Sequence, residues 1–145
     1  MTREKILAMG SGREMDALVA EKVMGLTVIC QQESDHFLHG LAKVLHVPKR
    51  ERITIPMVQM WRTSDGKVLR RYSTDIAAAW TVVEYMRAEG WDFELVTRIW
   101  GRIGWRATLY SCRVAWSAYG STAPEAICRA ALVAALGGEK DADNR

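Results

Sequence analysis

A chain of 145 residues, 49% apolar and 26% charged, is long enough to bury one core without a metal or a disulfide. Its net charge of +3 admits an anionic partner but falls short of the basic density of a duplex-DNA-binding domain. Three cysteines, Cys30, Cys112 and Cys128, are odd in number and widely spaced, which argues against a disulfide framework and for reduced thiols. The opening MTREKILAMGSGREMD has no continuous apolar core of the kind a signal peptide carries, and no run approaches the roughly 18 apolar residues of a membrane span.

In chain order, a short helix is expected from Arg3 to Met9, broken by Gly10-Ser11-Gly12. Ser11 with Glu14 reads as a capping box for a second helix, whose buried stripe is Met15, Leu18, Val19 and Val23. Gly25 suits the left-handed position after its end. Residues 26–30 read as a strand, 31–47 as a loop with a helical turn, and 48–52 as a charged connection. Residues 53–62 read as a strand whose Pro56 suits an edge or a bulge. Asp65-Gly66 predicts a hairpin turn with a returning strand over 68–72.

Ser73 or Thr74 is the expected cap of the next helix, with Ile76, Ala79, Trp80, Val83 and Met86 or Arg87 facing inward and Gly90 ending it. From Asp92 the chain alternates: Phe93, Leu95, Thr97 and Ile99 share one face, and Glu94, Val96, Arg98 and Trp100 the other. Residues 101–104 are the predicted turn, and a partner strand runs from Trp105 to about Tyr119 with a break near Ser111. Thr122, Pro124 and Glu125 announce the last helix, and Gly137-Gly138 the stop that leaves 138–145 as a frayed tail. The order helix, strands, helix, strand pair, helix predicts an α+β fold: one domain over 1–145, with an antiparallel sheet covered by helices.

The stretch Arg98-Ile99-Trp100-Gly101-Arg102-Ile103-Gly104-Trp105-Arg106 holds three arginines and two tryptophans. One reading is a decorated hairpin in which Trp100 and Trp105 pair across the strands, a contact worth a few tenths to about 1 kcal/mol. The other is a ligand site: an indole stacks a base for about 1–3 kcal/mol, and arginines pair with phosphate. Trp61-Arg62 and Arg70-Arg71-Tyr72 repeat the mixture, while Trp80 is expected in the core. The candidate ligand-binding set is therefore Trp61, Arg70, Arg71, Arg98, Trp100, Arg102, Trp105 and Arg106. Cys30, His36, His39 and His46 lack a recognised metal spacing, so no metal and no cofactor is expected. No nucleophile elbow, Walker loop or HExxH pattern marks a catalytic centre. The small residues of 123–136 suit packing on the chain's own sheet, with a homo-oligomer as the alternative.

Three segments carry a family resemblance: GREMDALVAEKVMG (12–25), YSTDIAAAW (72–80) continuing VVEYM, and TAPEAICRAAL (122–132). In that order they resemble the phage ABA sandwich domain family of small bacteriophage and prophage proteins, and they leave 26–71 outside. The resemblance implies an α/β/α sandwich-like fold and the cytoplasm of an infected bacterium. It carries over no catalytic residue. By analogy with small phage α+β proteins that act as sponges, the expectation is a non-catalytic protein that sequesters a nucleotide immune signal. A cyclic ADP-ribose isomer or a cyclic oligonucleotide fits that description. The alternatives are an accessory protein that binds a host protein or single-stranded nucleic acid, and an unrecognised nucleotide hydrolase. No membrane partner is expected.

Overall fold

The computed structural model describes residues 1–34, 44–46, 57–99 and 102–142, with side chains except at 32–34, 57–58, 98–99, 102–103 and 138–142. In chain order the elements are α1 (Arg3–Ala8), α2 (Arg13–Leu18) running into a π-helical turn (Val19–Val23), β1 (Val28–Ser34) and β2 (Met57–Thr63). They are followed by α3 (Ile76–Ala88), β3 (Asp92–Ile99), β4 (Arg102–Tyr110), β5 (Ala115–Gly120) and α4 (Ala123–Ala142). β1 and β2 form an antiparallel pair, and β3, β4 and β5 an antiparallel sheet in that order. This is the expected α+β architecture.

Strand alternation decides where the core sits. Ala107 and Leu109 of β4 are buried, with Ala118 and Trp116 of β5 opposite them, and Phe93 and Leu95 of β3 pack against the same core. α4 covers this face with Ala126, Ile127, Ala130, Ala131 and Ala134, all buried. Such small side chains let the helix lie close to the sheet. Gly120 is the tightest point: a methyl group there would stand 2.6 Å from the Ala126 backbone nitrogen.

Several local expectations are corrected. α2 begins after Gly12 with no side-chain cap, so the Ser11–Glu14 capping box does not form; the Gly12 N–H donates instead to Ser73 Oγ, 61 residues away (2.9 Å). Residues 31–34, expected in a loop, extend β1 and pair with β2. Asp75, rather than Ser73 or Thr74, caps α3 by accepting from the Ala77 N–H (2.9 Å). The buried stripe of α3 is Ala78, Ala79, Val82, Val83 and Met86. Ile76 and Trp80 lie off this stripe; Trp80 is 44% exposed and meets Phe93 edge-on, with ring centroids 5.9 Å apart. The helix packs through this stripe of alanines, valines and a methionine, and the indole lies beside it.

α4 runs through Gly137-Gly138 to Ala142 instead of stopping there. Gly137 has a packing role, since a Cβ at that position would meet the Trp116 ring at 2.8 Å. The strand expected over 68–72 reduces to a single bridge between Arg62 and Val68. Expectations for 35–43, 47–56 and 143–145 lie outside the described residues. Other expectations hold: Gly25 and Gly90 take positive φ of 68° and 92°, and a turn at Ser111–Val114 separates β4 from β5.

A largely buried ion pair ties three elements together. Arg129 meets Glu125 at 2.8 Å, donates to the Met9 carbonyl (2.6 Å) just past α1, and donates to the Tyr119 carbonyl (2.7 Å) of β5. Glu125 Oε2 also accepts from the backbone N–H and the hydroxyl of Ser121, both at 2.7 Å. Burial pulls the Glu125 pKa upward, but these donors and the Arg129 charge outweigh it and hold the carboxyl below its ordinary value. A lowered folded pKa gives stability above the unfolded pKa that is lost as pH falls through the folded one. Between about pH 5 and pH 3, urea midpoints should therefore fall more steeply for the wild-type chain than for Glu125→Gln. Gly120→Ala should lower stability by roughly 1–3 kcal/mol, because its new methyl meets helix backbone that cannot yield; chemical denaturation reads this directly.

Candidate functional site

The residues that carry the candidate site lie between β2 and α3. The turn Thr63–Lys67 is closed by the Thr63 N–H donating to the Lys67 carbonyl (2.9 Å) and the Gly66 N–H to the Thr63 carbonyl (2.9 Å). Gly66 adopts a φ of 78°, which favours glycine. Asp65 Oδ1 accepts from the Lys67 N–H (3.2 Å) and from the Thr63 hydroxyl. Beyond the turn, the Leu69 N–H donates to the Trp61 carbonyl (2.8 Å). Leu69, Tyr72 and Ser73 are buried, whereas Arg70 and Arg71 are exposed.

Asp16 sets this in-out-out-in pattern. Its carboxylate is 1% exposed and accepts from the Ser73 N–H and the Ser73 hydroxyl, both at 2.7 Å. Arg13, one helical turn earlier, stands 3.6 Å from Asp16 and donates to the Leu69 carbonyl (2.9 Å). The segment is thus fastened to α2 at both ends, and its two arginines turn outward.

Two hollows meet at this segment. The larger, of about 630 Å³, is walled by Arg13, Arg70, Arg71, Asp75 and the first turns of α3. The smaller, of about 230 Å³, is walled by Met24, Leu26, Asp65, Lys67 and Tyr72. Val68, Arg70 and Thr81 line both, so the two form one bipartite trough. Burial pushes the Tyr72 phenol pKa up, although the Arg70 charge pulls against it. Chemically the trough offers cations over an apolar floor, the arrangement for an anion attached to a less polar body.

The structure divides the candidate residues read from sequence. Arg70 and Arg71 come together in the trough. Trp61 packs half-buried against the core and lines neither hollow. Trp105 also packs against the core, opposite Thr97 on β3 and Gly120 on β5. The expected pairing of Trp105 with Trp100 is therefore corrected: β4 starts at Arg102, which pairs with Ile99, so the predicted turn 101–104 is mostly strand. Arg106 follows Trp105 along the strand and so faces the other side, opposite Val96 and Tyr119, with Glu94 at 4.0 Å. Trp100 and the side chains of Arg98 and Arg102 lie outside the described residues.

Sequence reasoning missed Arg13, Asp16, Asp65 and Lys67. A signal for Asp16 did exist: Asp16, Val19, Ala20 and Val23 follow helical spacing, which puts a carboxylate on the apolar stripe. Among the described residues, no three of His, Cys, Asp and Glu are grouped to hold a metal ion, and His36 and His39 lie outside them. Cys30, Cys112 and Cys128 are all free thiols, and burial pushes that of Cys128 far above the ordinary range.

The family model described as the phage ABA sandwich domain matches residues 17–132. The chain belongs to the phage ABA sandwich domain family. The match spans 26–71 between its two ends, and Arg13 and Asp16 lie just before it. This phage ABA sandwich protein is also similar to a phage protein from Bacillus cereus ATCC 14579, known from a crystal structure at 2.0 Å. The two share a fold with a TM-score of 0.53 at 18% identity, over 86% of this chain and 90% of the other. No curated protein matches the chain. Among the described residues, no helix is long and apolar enough to cross a membrane.

Replacing Asp16 with alanine orphans the buried Ser73 N–H, leaves the Ser73 hydroxyl only its longer contact to the Gly12 carbonyl (3.3 Å) and removes the anion beside Arg13. The expected loss is about 3 kcal/mol by urea denaturation, with a smaller loss for Asp16→Asn, which keeps an acceptor. Faster amide exchange at Leu69–Asp75 should accompany it.

Proposed function

We propose that this phage ABA sandwich protein is a non-catalytic binding protein that holds a small, nucleotide-like anion in the arginine trough. Its ligand class would be a nucleotide immune signal of bacterial anti-phage defence, such as a cyclic ADP-ribose isomer or a cyclic oligonucleotide. The protein would sequester that signal in the cytoplasm of the infected host. The observation that carries this reading is the convergence of Arg13, Arg70 and Arg71 on one cavity. Guanidinium groups suit phosphate because their planar donors engage two oxygens at once. Asp75, the carboxylate in the same wall, holds the α3 backbone through Oδ1, which suits a structural role better than proton transfer.

A second reading rests on the other sheet face, where Arg106, Tyr110 and Tyr119 share one side of β4 and β5. Tyr110 and Tyr119 are exposed, and such rings stack on single-stranded nucleic acid. Asp92 and Glu94 stand on the same face, so an anionic strand meets two like charges there. The trough is the better site for an anion.

Thermal-shift measurements against a panel of cyclic nucleotides test the proposal. A cognate ligand at a hundredfold excess over Kd should stabilise the chain by about 2.7 kcal/mol. The Arg70→Ala/Arg71→Ala double variant, which changes only exposed side chains, should lose that shift while keeping its own melting temperature. Ligand recovered after denaturation should be chemically intact. Silence across the panel overturns the reading, and a cleaved product replaces it with an enzyme.

A further inference from the structure

β3 stands at one edge of its sheet. β4 pairs with one side of it, and among the described residues no strand pairs with the other. The open side of Asp92–Ile99 presents backbone donors and acceptors, the template on which a further strand adds. The strand holds no proline and no lysine, residues that commonly guard such an edge, and its one irregularity is the register shift between Thr97 and Ile99 at its end.

Exposed apolar side chains stand beside this edge. Trp80 of α3 is 44% exposed although its ring meets Phe93 of β3, and Ile76, one helical turn earlier, is 51% exposed. On the helix the two flank the buried stripe next to Ala79 and Val83. Ala77 and Thr81, which wall the arginine trough, flank it next to Ala78. The apolar patch and the trough thus lie on opposite flanks of α3, and the patch is on the flank that reaches β3.

The charges of β3 are arranged for a copy of itself. Asp92 and Glu94 come in its first half and Arg98 in its second. A second β3 running antiparallel about Val96 sets Glu94 at the register position of the partner's Arg98, with Phe93 opposite the partner's Ile99 and Leu95 opposite the partner's Thr97. A parallel copy in register sets acid against acid, which is unfavourable.

We infer that β3 pairs antiparallel with β3 of a second copy of this chain. The pairing joins the two sheets into one and covers Ile76 and Trp80 of both copies at the seam. The same patch serves both partners, so the contact closes at a dimer. Both troughs stay open, and the dimer needs no ligand.

Sedimentation equilibrium of the full chain without ligand tests it, and should give twice the mass of one chain at micromolar concentration. Ile76→Glu and Trp80→Glu each put a charge in the seam from an already exposed position, and each should weaken dimerisation at least roughly tenfold. A circular-dichroism melt checks that each variant folds, and Ile76→Glu decides the matter if loss of the Trp80–Phe93 contact unfolds the other. Arg98→Glu sets acid against acid and should also weaken the dimer roughly tenfold, while Glu94→Arg/Arg98→Glu exchanges the charges and should restore it. Amide exchange along β3 should slow in the dimer and quicken in Ile76→Glu. A wild-type monomer overturns the inference. So does a dimer that persists in Ile76→Glu, Trp80→Glu and Arg98→Glu, because it must then form through another surface.

Discussion

Asp16 is a carboxylate sealed inside the protein, and burying such a charge without partners costs several kcal/mol. Its partners come from far away in sequence: the Ser73 N–H and hydroxyl, with Arg13 alongside. Meeting that demand brings residues 69–75 onto α2. It also explains why α2 starts without a side-chain cap, since Ser73 Oγ takes up the Gly12 N–H. The outward turn of Arg70 and Arg71 follows, because their neighbours Leu69, Tyr72 and Ser73 must face in. A polar contact in the interior thus positions the cations at the surface.

A second polar knot does comparable work on the other side of the core. Arg129 links α4 to the end of α1 and to β5 through two backbone carbonyls, while Glu125 neutralises its charge. Between the knots, the packing is governed by small residues. The alanines of α4 and the hydrogen of Gly120 let helix and sheet approach to a distance that any added methyl group would violate. Gly137 makes room for the Trp116 ring in the same way, and a glycine pair that would ordinarily stop a helix is carried inside one.

The candidate site was half legible. Arg70 and Arg71 stood out as adjacent cations beside a turn signal, and the structure sets them in one cavity. The tryptophan-rich stretch was the stronger sequence signal, yet it led elsewhere. Consecutive strand residues face opposite ways, so Trp105 went to the core and Arg106 to the far face. Composition measures how many arginines and indoles are near each other along the chain, and it is blind to which side of a sheet each one takes.

The sequence by itself determined the classes of element and most of their places: the amphipathic stripes, the turn at Asp65-Gly66, the alternation of β3, and a family resemblance in three short segments. These are local properties, readable from side-chain periodicity and backbone preference within a few residues. Tertiary structure alone decided that Asp16 meets Ser73, that Arg13 joins Arg70 and Arg71, and that α3 buries Ala78 and Val82 while leaving Trp80 44% exposed. Each of those outcomes depends on groups tens of residues apart competing for the same buried space and the same donors, and no local pattern encodes who wins.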